Sequence, residues 1–165
     1  MVSEVPAAVR AYLSSHSTMT LATATAGRPW AAPVFYVCDD DLRLYFVSDP
    51  GTRHATQATE NPNVAAAIYE HDQPWQSIRG VQIEGCLRVV PPADRPRVEA
   101  LYWRRFPAIG RLLAVPANDD ERLLRRRIAE ARFYVLSPGI VRFVDNTLGF
   151  GHREDYVVDE AALHT

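Results

Sequence analysis

The triplet Thr52-Arg53-His54 has the makings of an anion grip: a hydroxyl, a permanent cation and a titratable ring in consecutive positions. It falls in SDPGTRHATQATENPNV, where a strand-like run ends and a helix-like run begins. A helix start is already partly positive, so acids are the usual residues there. Two basic side chains at that point fit a visiting anion. With Thr52 as N-cap, its hydroxyl and the following backbone N–H groups converge on one point. Arg53 adds a planar fork matched to phosphate oxygens, and His54 a second donor held protonated by a bound dianion. A structural reading competes. Asp49 caps the helix with Pro50 at its first position, leaving Arg53 and His54 as solvated surface residues.

Other groupings carry weaker signals. Gly149-Phe150-Gly151 lies in VDNTLGFGHRED but lacks the third glycine and the following helix of a dinucleotide fingerprint. It reads as an ordered loop after the last strand, either contacting a ligand or partner or bending where glycine permits positive φ. The histidines His16, His54, His71, His152 and His164 are scattered, and no pair has helix-face metal spacing. Asp39-Asp40-Asp41 lacks the alternating ligands of a calcium loop and reads as a polar hairpin turn. Arg125-Arg126-Arg127 sits in ERLLRRRIAEAR with i,i+4 acid–base spacing, the pattern of a solvated helix face.

The elements that must position the triplet follow from periodicity. Pro6 to Ser15 predicts a short amphipathic helix with Val9, Tyr12 and Leu13 on one side. Thr18–Thr25, Trp30–Cys38 and Leu42–Ser48 read as strands of two successive hairpins, with turns at Ala26–Pro29 and Asp39–Asp41. A helix from Thr52 to Glu60 stops at Asn61-Pro62. Val64–Tyr69 and Arg79–Val90 are further strands. Asp94 can cap a helix ending near Pro107, and Asp119–Ala131 forms another. Phe133–Leu136 and Ile140–Val144 close the sheet around a turn at Ser137-Pro138-Gly139. Short antiparallel strands with helices between them predict a mainly β, α+β fold: a β-barrel with peripheral helices.

The 165 residues suffice for a single domain, 1–165, with a sizeable core. Apolar residues make up 47% and charged residues 23%, which excludes a disordered chain. A net charge of -2 argues against a general nucleic-acid binder. All 18 basic residues are Arg, so no Schiff-base lysine exists for pyridoxal-phosphate chemistry. No apolar run approaches the roughly 20 residues of a membrane span, and the N-terminus lacks signal-peptide features. Cys38 and Cys86 read as buried reduced thiols, consistent with a cytoplasmic chain and no metal site.

In order, these segments resemble the pyridoxamine 5'-phosphate oxidase-like superfamily, the FMN-binding split barrels. The main match is LYFVSDPGTRHATQATENPNVAAAIY: a strand, a Ser-Arg-Lys-type triplet opening a helix, Asn-Pro and an apolar strand. Ile83-Glu84-Gly85 matches a later Val/Ile-x-Gly strand. The YhbP-like branch is a closer likeness, through Gly51-Thr52-Arg53-His54, IRGVQ at Ile78–Gln82, RRFP at Arg104–Pro107 and DNTLGFG at Asp145–Gly151. The arginine-rich helix near Arg125 looks like an insertion relative to that branch.

The resemblance implies a split β-barrel and a homodimer with FMN at the subunit interface. It implies that Thr52, Arg53 and His54, the last in place of a lysine, grip the FMN phosphate, with Ser48 beside them. It assigns the ring wall to Ala32, Pro33, Val34 and Phe35, largely through backbone. The family's flavin-contacting Gln maps to Gly80, with Gln82 two residues on along the same strand face. Val37 stands where the oxidases carry a substrate-binding cation. Phe106 replaces the Arg of a Tyr-x-x-x-Arg substrate motif that begins at Tyr102. These departures point away from pyridoxamine phosphate as substrate. The implied activity is an FMN-dependent oxidoreductase with Tyr102 and His152 as acid–base candidates. The alternatives are a flavin or haem binder without catalysis, with His54, His71 or His152 as haem ligand, and a deazaflavin (F420) reductase.

Overall fold

The computed structural model describes residues 4–159 and 161; His164 lies outside them. Helix α1 (Ala7–Ser15) buries Val9, Tyr12 and Leu13 on the side its periodicity predicts. Full burial of a side chain such as Leu13 stabilises by about 2 kcal/mol. Strands β1 (Thr18–Thr25) and β2 (Arg28–Phe35) form a hairpin. Its turn residues, Ala26 and Gly27, both have positive φ, at 49° and 72°. That two-residue geometry suits the right-handed twist of the strands.

The predicted strand Trp30–Cys38 is in fact two. β2 starts earlier, at Arg28, and pairs with β1. β3 (Val37–Cys38) pairs with β4 (Leu44–Ser48). The break falls at Tyr36, which is wholly buried and donates its hydroxyl to the Leu13 carbonyl at 2.6 Å. The full sheet runs β2-β1-β5-β6-β7-β4-β3, with β5 (Asn63–Tyr69), β6 (Arg79–Val89) and β7 (Arg132–Asp145) at its centre. β2 and β3 are its two ends and are joined through one residue, so the sheet must curl back on itself. β2 carries Pro29 and Pro33, which suits an edge strand because proline has no N–H to donate.

β7 differs from the expected pair of strands around a turn. It is continuous, and Ser137-Pro138-Gly139 passes through it as an irregularity opposite Gly85. A Cβ at Gly85 would run into the Ser137 carbonyl oxygen, so that crossing requires glycine. The bulge shifts the register of β6 between Glu84 and Gly85. A strand unforeseen in the sequence, β8 (Arg153–Val157), pairs with the second half of β7.

Helix α2 (Arg53–Glu60) packs on the β1–β2 hairpin. Three helices separate β6 from β7: α3 (Arg95–Arg105), the unpredicted α4 (Pro107–Ala114) and α5 (Asp119–Glu130). α3 buries Val98 and Tyr102 over a second apolar cluster with Val37, Tyr45, Val90 and Phe133. The main core lies inside the curled sheet, around Met19, Leu21, Tyr36, Leu44, Phe46, Ile68, Val81, Leu136 and Val141. The antiparallel half-barrel with five helices is a split-barrel, α+β fold. No helix among the described residues is long and apolar enough to cross a membrane.

Candidate anion and cofactor site

The triplet stands where β4 hands over to α2. Asp49 does not cap the helix. Its carboxylate accepts from the Gly51 amide at 2.7 Å and shapes the preceding turn. Thr52 is the N-cap residue, but its side chain caps nothing and donates to the Asp49 carbonyl at 2.8 Å. The first intrahelical bond is Thr56 N–H to the Thr52 carbonyl. The amides of Arg53, His54 and Ala55 therefore precede the hydrogen-bonded ladder, as donors at the positive end of the helix.

Arg53 is exposed, and its guanidinium stacks on the half-exposed Trp30 ring at 4.5 Å. Among the described residues it forms no ion pair. Stacking holds the fork in place while leaving its edge open. Trp30 is the site residue that sequence reasoning missed; its place at the start of the second hairpin strand was the available signal.

His54 points inward. It is buried beside Phe46, with Nε2 2.8 Å from the Ser48 hydroxyl and 3.2 Å from that of Thr52. Burial pushes its pKa below the ordinary 6.5, so the ring is neutral at neutral pH. The Thr52 proton is committed to the Asp49 carbonyl, so Thr52 can only accept from His54. With Nε2 protonated, His54 serves as donor to both hydroxyls, and Ser48 can donate its own proton to Thr52 Oγ1, 3.3 Å away.

Two side chains bolt α2 to the hairpin. The buried Gln57 accepts from Thr23 Oγ1 at 2.6 Å and donates to the Arg28 carbonyl at 3.0 Å. Asn61 donates to the Ala24 carbonyl at 2.9 Å. These bonds fix the triplet against the start of β2.

The proposed ring wall follows along β2. Ala32 and Val34 face the core, while Pro33 and the exposed Phe35 face outward. The registers place Pro33, Thr20, Ala67, Gln82, Arg142 and Asp155 in one row across the sheet. Gln82 thus shares an outer face with Pro33, but three strands away, about 14 Å at ordinary strand spacing. It lines a shallow cavity beside Arg142, whose guanidinium forms a fork pair with Asp155 at 2.6 and 2.7 Å. Ser48, Thr52, His54 and Arg53 come together; Gln82 does not join them within this chain.

The acid–base candidates fare differently. Tyr102 is buried under α3, its hydroxyl donates to the Phe35 carbonyl at 3.2 Å, and burial raises its pKa steeply. It props the end of β2 and cannot offer a proton to a surface ligand. His152 is half-buried, 3.2 Å from Glu154. His71 pairs with Asp72 on the surface. Cys38 and Cys86 are free thiols, and burial pushes Cys38 up to about 12.

Comparison with known proteins agrees with this fold. Residues 5–135 match the family model for pyridoxamine 5'-phosphate oxidase. A UPF0306 protein of Klebsiella pneumoniae (strain 342) is 30% identical over 160 residues, covering 96% of this chain and 97% of its own. The UPF0306 protein YhbP of Salmonella paratyphi C is 30% identical over 156 residues, covering 94% and 95%. The conserved hypothetical protein Rv2991 of Mycobacterium tuberculosis superposes with a TM-score of 0.69 at 21% identity, covering 92% of this chain and 91% of that one. An FAD-binding protein of Mesorhizobium loti gives 0.61 at 20% identity, covering 83% and 92%. The haem storage protein HutZ of Vibrio cholerae gives 0.62 at 18% identity, covering 79% and 87%. The chain belongs to the pyridoxamine 5'-phosphate oxidase-like superfamily and, within it, to the YhbP-like UPF0306 branch.

Proposed function

We propose that this protein binds FMN and acts as a flavin-dependent oxidoreductase on a small substrate other than pyridoxamine phosphate. The observation that carries the reading is the start of α2. Three amides at the positive helix end have no side-chain cap, and beside them stands an arginine fork stacked on Trp30 with no carboxylate partner among the described residues. A donor set of this kind, without a neutralising acid, fits a phosphate monoester.

Arg53 and the Thr52–Ala55 backbone would hold the phosphate, with the Ser48 hydroxyl beside them. His54 would orient the Ser48 and Thr52 hydroxyls as a neutral ring rather than supply charge. Pro33 and Phe35, with the backbone of Ala32 and Val34, would flank the ring system. The flavin, when bound, supplies hydride or electron transfer at its N5 position. The chain's own contribution is to grip, orient and exclude water.

Gln82 belongs to this picture through a homodimer. The outer face of β1, β2 and β5 is floored by Thr20, Ala22, Ala31, Ala65 and Ala67, small enough for close approach of a second sheet. A cofactor at that interface would meet β2 of one chain and the Gln82 row of the other.

The haem alternative is less well supported by the histidines. Nε2 of His54 is held by two hydroxyls, and Nε2 of His71 and His152 by carboxylates. The decisive experiment is purification without added cofactor, followed by absorption spectroscopy and mass spectrometry of the released ligand. Released FMN supports the reading. A Soret band with no flavin, or a released deazaflavin, would replace it.

A further inference from the structure

The side of α2 turned away from the hairpin borders a mainly apolar groove of about 400 Å³. Ala55, Ala58 and Thr59 line it at helical spacing, and Leu87 and Val89 line it from β6. Tyr134 of β7 lies between them in the lining. Arg53 and Gln57 serve the opposite side of the same helix, toward Trp30 and Arg28. Only Ala55 is common to the groove and the anion grip. The pairing of β5 with β6 ends at Cys86, and Leu87 donates its N–H to the Pro62 carbonyl at 2.8 Å. Beyond that point β6 has a free edge. Val90 donates to the Phe133 carbonyl on the β7 side, at 2.8 Å. Amides alternate sides along a strand, so that of Val89 points toward the free edge and the groove.

Tyr134 is the polar group that the fold leaves unanswered. The residue is 3% exposed, and its ring stacks on Phe46 with centroids 5.4 Å apart. Its hydroxyl hydrogen-bonds to no described residue, yet it is not sealed within the protein. A buried hydroxyl ordinarily has a partner. Arg132 and Asp49 are the charged groups that face it, and Asp49 already accepts from the Gly51 amide. Burial raises the Tyr134 pKa, so the hydroxyl is a neutral donor at neutral pH. The Thr59 hydroxyl is committed to the Ala55 carbonyl at 3.0 Å. No acid among the described residues lines the groove, whereas Arg88 does. Neither Arg88 nor Arg132 has a carboxylate partner among the described residues.

We infer that this groove binds a small apolar carboxylate, its hydrocarbon body against Ala58, Leu87 and Val89 and its head group accepting from the Tyr134 hydroxyl. Size and charge select this occupant. The volume lies at the small end of ligand pockets, and an apolar lining with a few convergent polar groups is their usual composition. A free hydroxyl donor, an edge amide and two arginines without acids complement a negative head and repel a cationic one. The groove can serve whether or not the start of α2 holds a flavin.

The test is titration of the full-length protein with octanoate, followed by NMR of the backbone amides. Amides 55–59, 87–89 and 134 should shift together and saturate with a dissociation constant below about 1 mM. Octanol has the chain without the charge and should not saturate these shifts at the same concentrations. Tyr134→Phe keeps the stack on Phe46 and removes only the unpartnered hydroxyl. Its melting temperature should stay at or above the wild-type value, while octanoate binding weakens about tenfold or more. Val89→Glu, at an exposed edge position, sets a like charge beside the head group and should abolish binding. Octanoate bound equally well by Tyr134→Phe, or octanol bound as tightly as octanoate, would overturn the inference. Shifts that fall outside the groove would do the same. Displacement of octanoate by FMN would assign it to the anion grip and overturn the separate site. Groove amides that respond to protein concentration rather than to octanoate would give the groove to a second copy and overturn it too.

Discussion

Arg53→Ala is the sharpest probe of the proposed phosphate grip. The side chain is exposed and has no ion pair among the described residues, so its removal leaves no buried charge behind. What the folded protein loses is the contact with Trp30, about 0.5–1 kcal/mol at an exposed site. What the ligand loses is larger. A guanidinium fork on a phosphate makes two charge-assisted hydrogen bonds, each worth about 1.5–3 kcal/mol net. Part of that is recovered by water at an open site, leaving a loss of about 2–4 kcal/mol in binding. The FMN dissociation constant should rise about 30-fold to 1,000-fold. Arg53→Lys keeps the charge but loses the fork and the stack, and should fall between. The assay is quenching of FMN fluorescence on titration with apoprotein, alongside a thermal melt. A melting temperature near wild type with binding weakened by at least 30-fold is expected. Arg53→Ala binding FMN within threefold of wild type would refute the assignment of Arg53, whatever the protein's activity.

Gln57→Ala removes the two Gln57 side-chain bonds to the hairpin, keeps the Asn61 bond, and leaves the buried Thr23 hydroxyl without its partner. Urea denaturation should show a loss of about 1–3 kcal/mol, and FMN affinity should fall although Gln57 touches no ligand. An unchanged midpoint would mean water replaces the amide. Because burial lowers the His54 pKa, the unfolded chain takes up a proton from about pH 6.5 downward while the folded ring resists. Stability should therefore fall as pH drops from 6.5 to the lower folded value, then level off. In His54→Gln, melts over that range should lose this component of the slope; an identical slope would show that other groups cause it. Gly85→Ala should destabilise by about 1–3 kcal/mol, because the Ser137 backbone has no room to yield. A fully stable variant would mean the β6–β7 crossing relaxes more easily than its geometry indicates.

The sequence made some elements legible and hid others for physical reasons. α1, β1 and α2 are local, with a clear apolar period or turn signal, and lie within a residue or two of expectation, whereas the second hairpin strand starts two residues early and breaks at Tyr36. Pro138 misled because an isolated Ser-Pro-Gly reads as a turn. Only the neighbouring Gly85, more than fifty positions earlier, turns it into a bulge within one strand. α4 was missed because Pro107 reads as a stop, yet proline also suits a first helical turn. The triplet's location was readable; the orientation of His54 was not. Its inward turn depends on Ser48 and Phe46 from the preceding strand, which no local pattern encodes. Tyr102 likewise looked chemical by alignment with a motif and proved structural once Phe35 lay opposite its hydroxyl.

The helical excursion between β6 and β7 bears on how the protein folds and tolerates change. Val89 pairs with Tyr134, so residues 90–133 form a closed loop on the central strand pair. Closing a chain costs only about 0.6 kcal/mol more for each doubling of its length. The excursion forms three helices whose contacts are largely with one another and with β3 and β4. Lengthening or trimming it at the turn between α4 and α5 should alter the loop-closure entropy slightly and the phosphate grip hardly at all. That turn is therefore the natural place to insert a reporter or a second module.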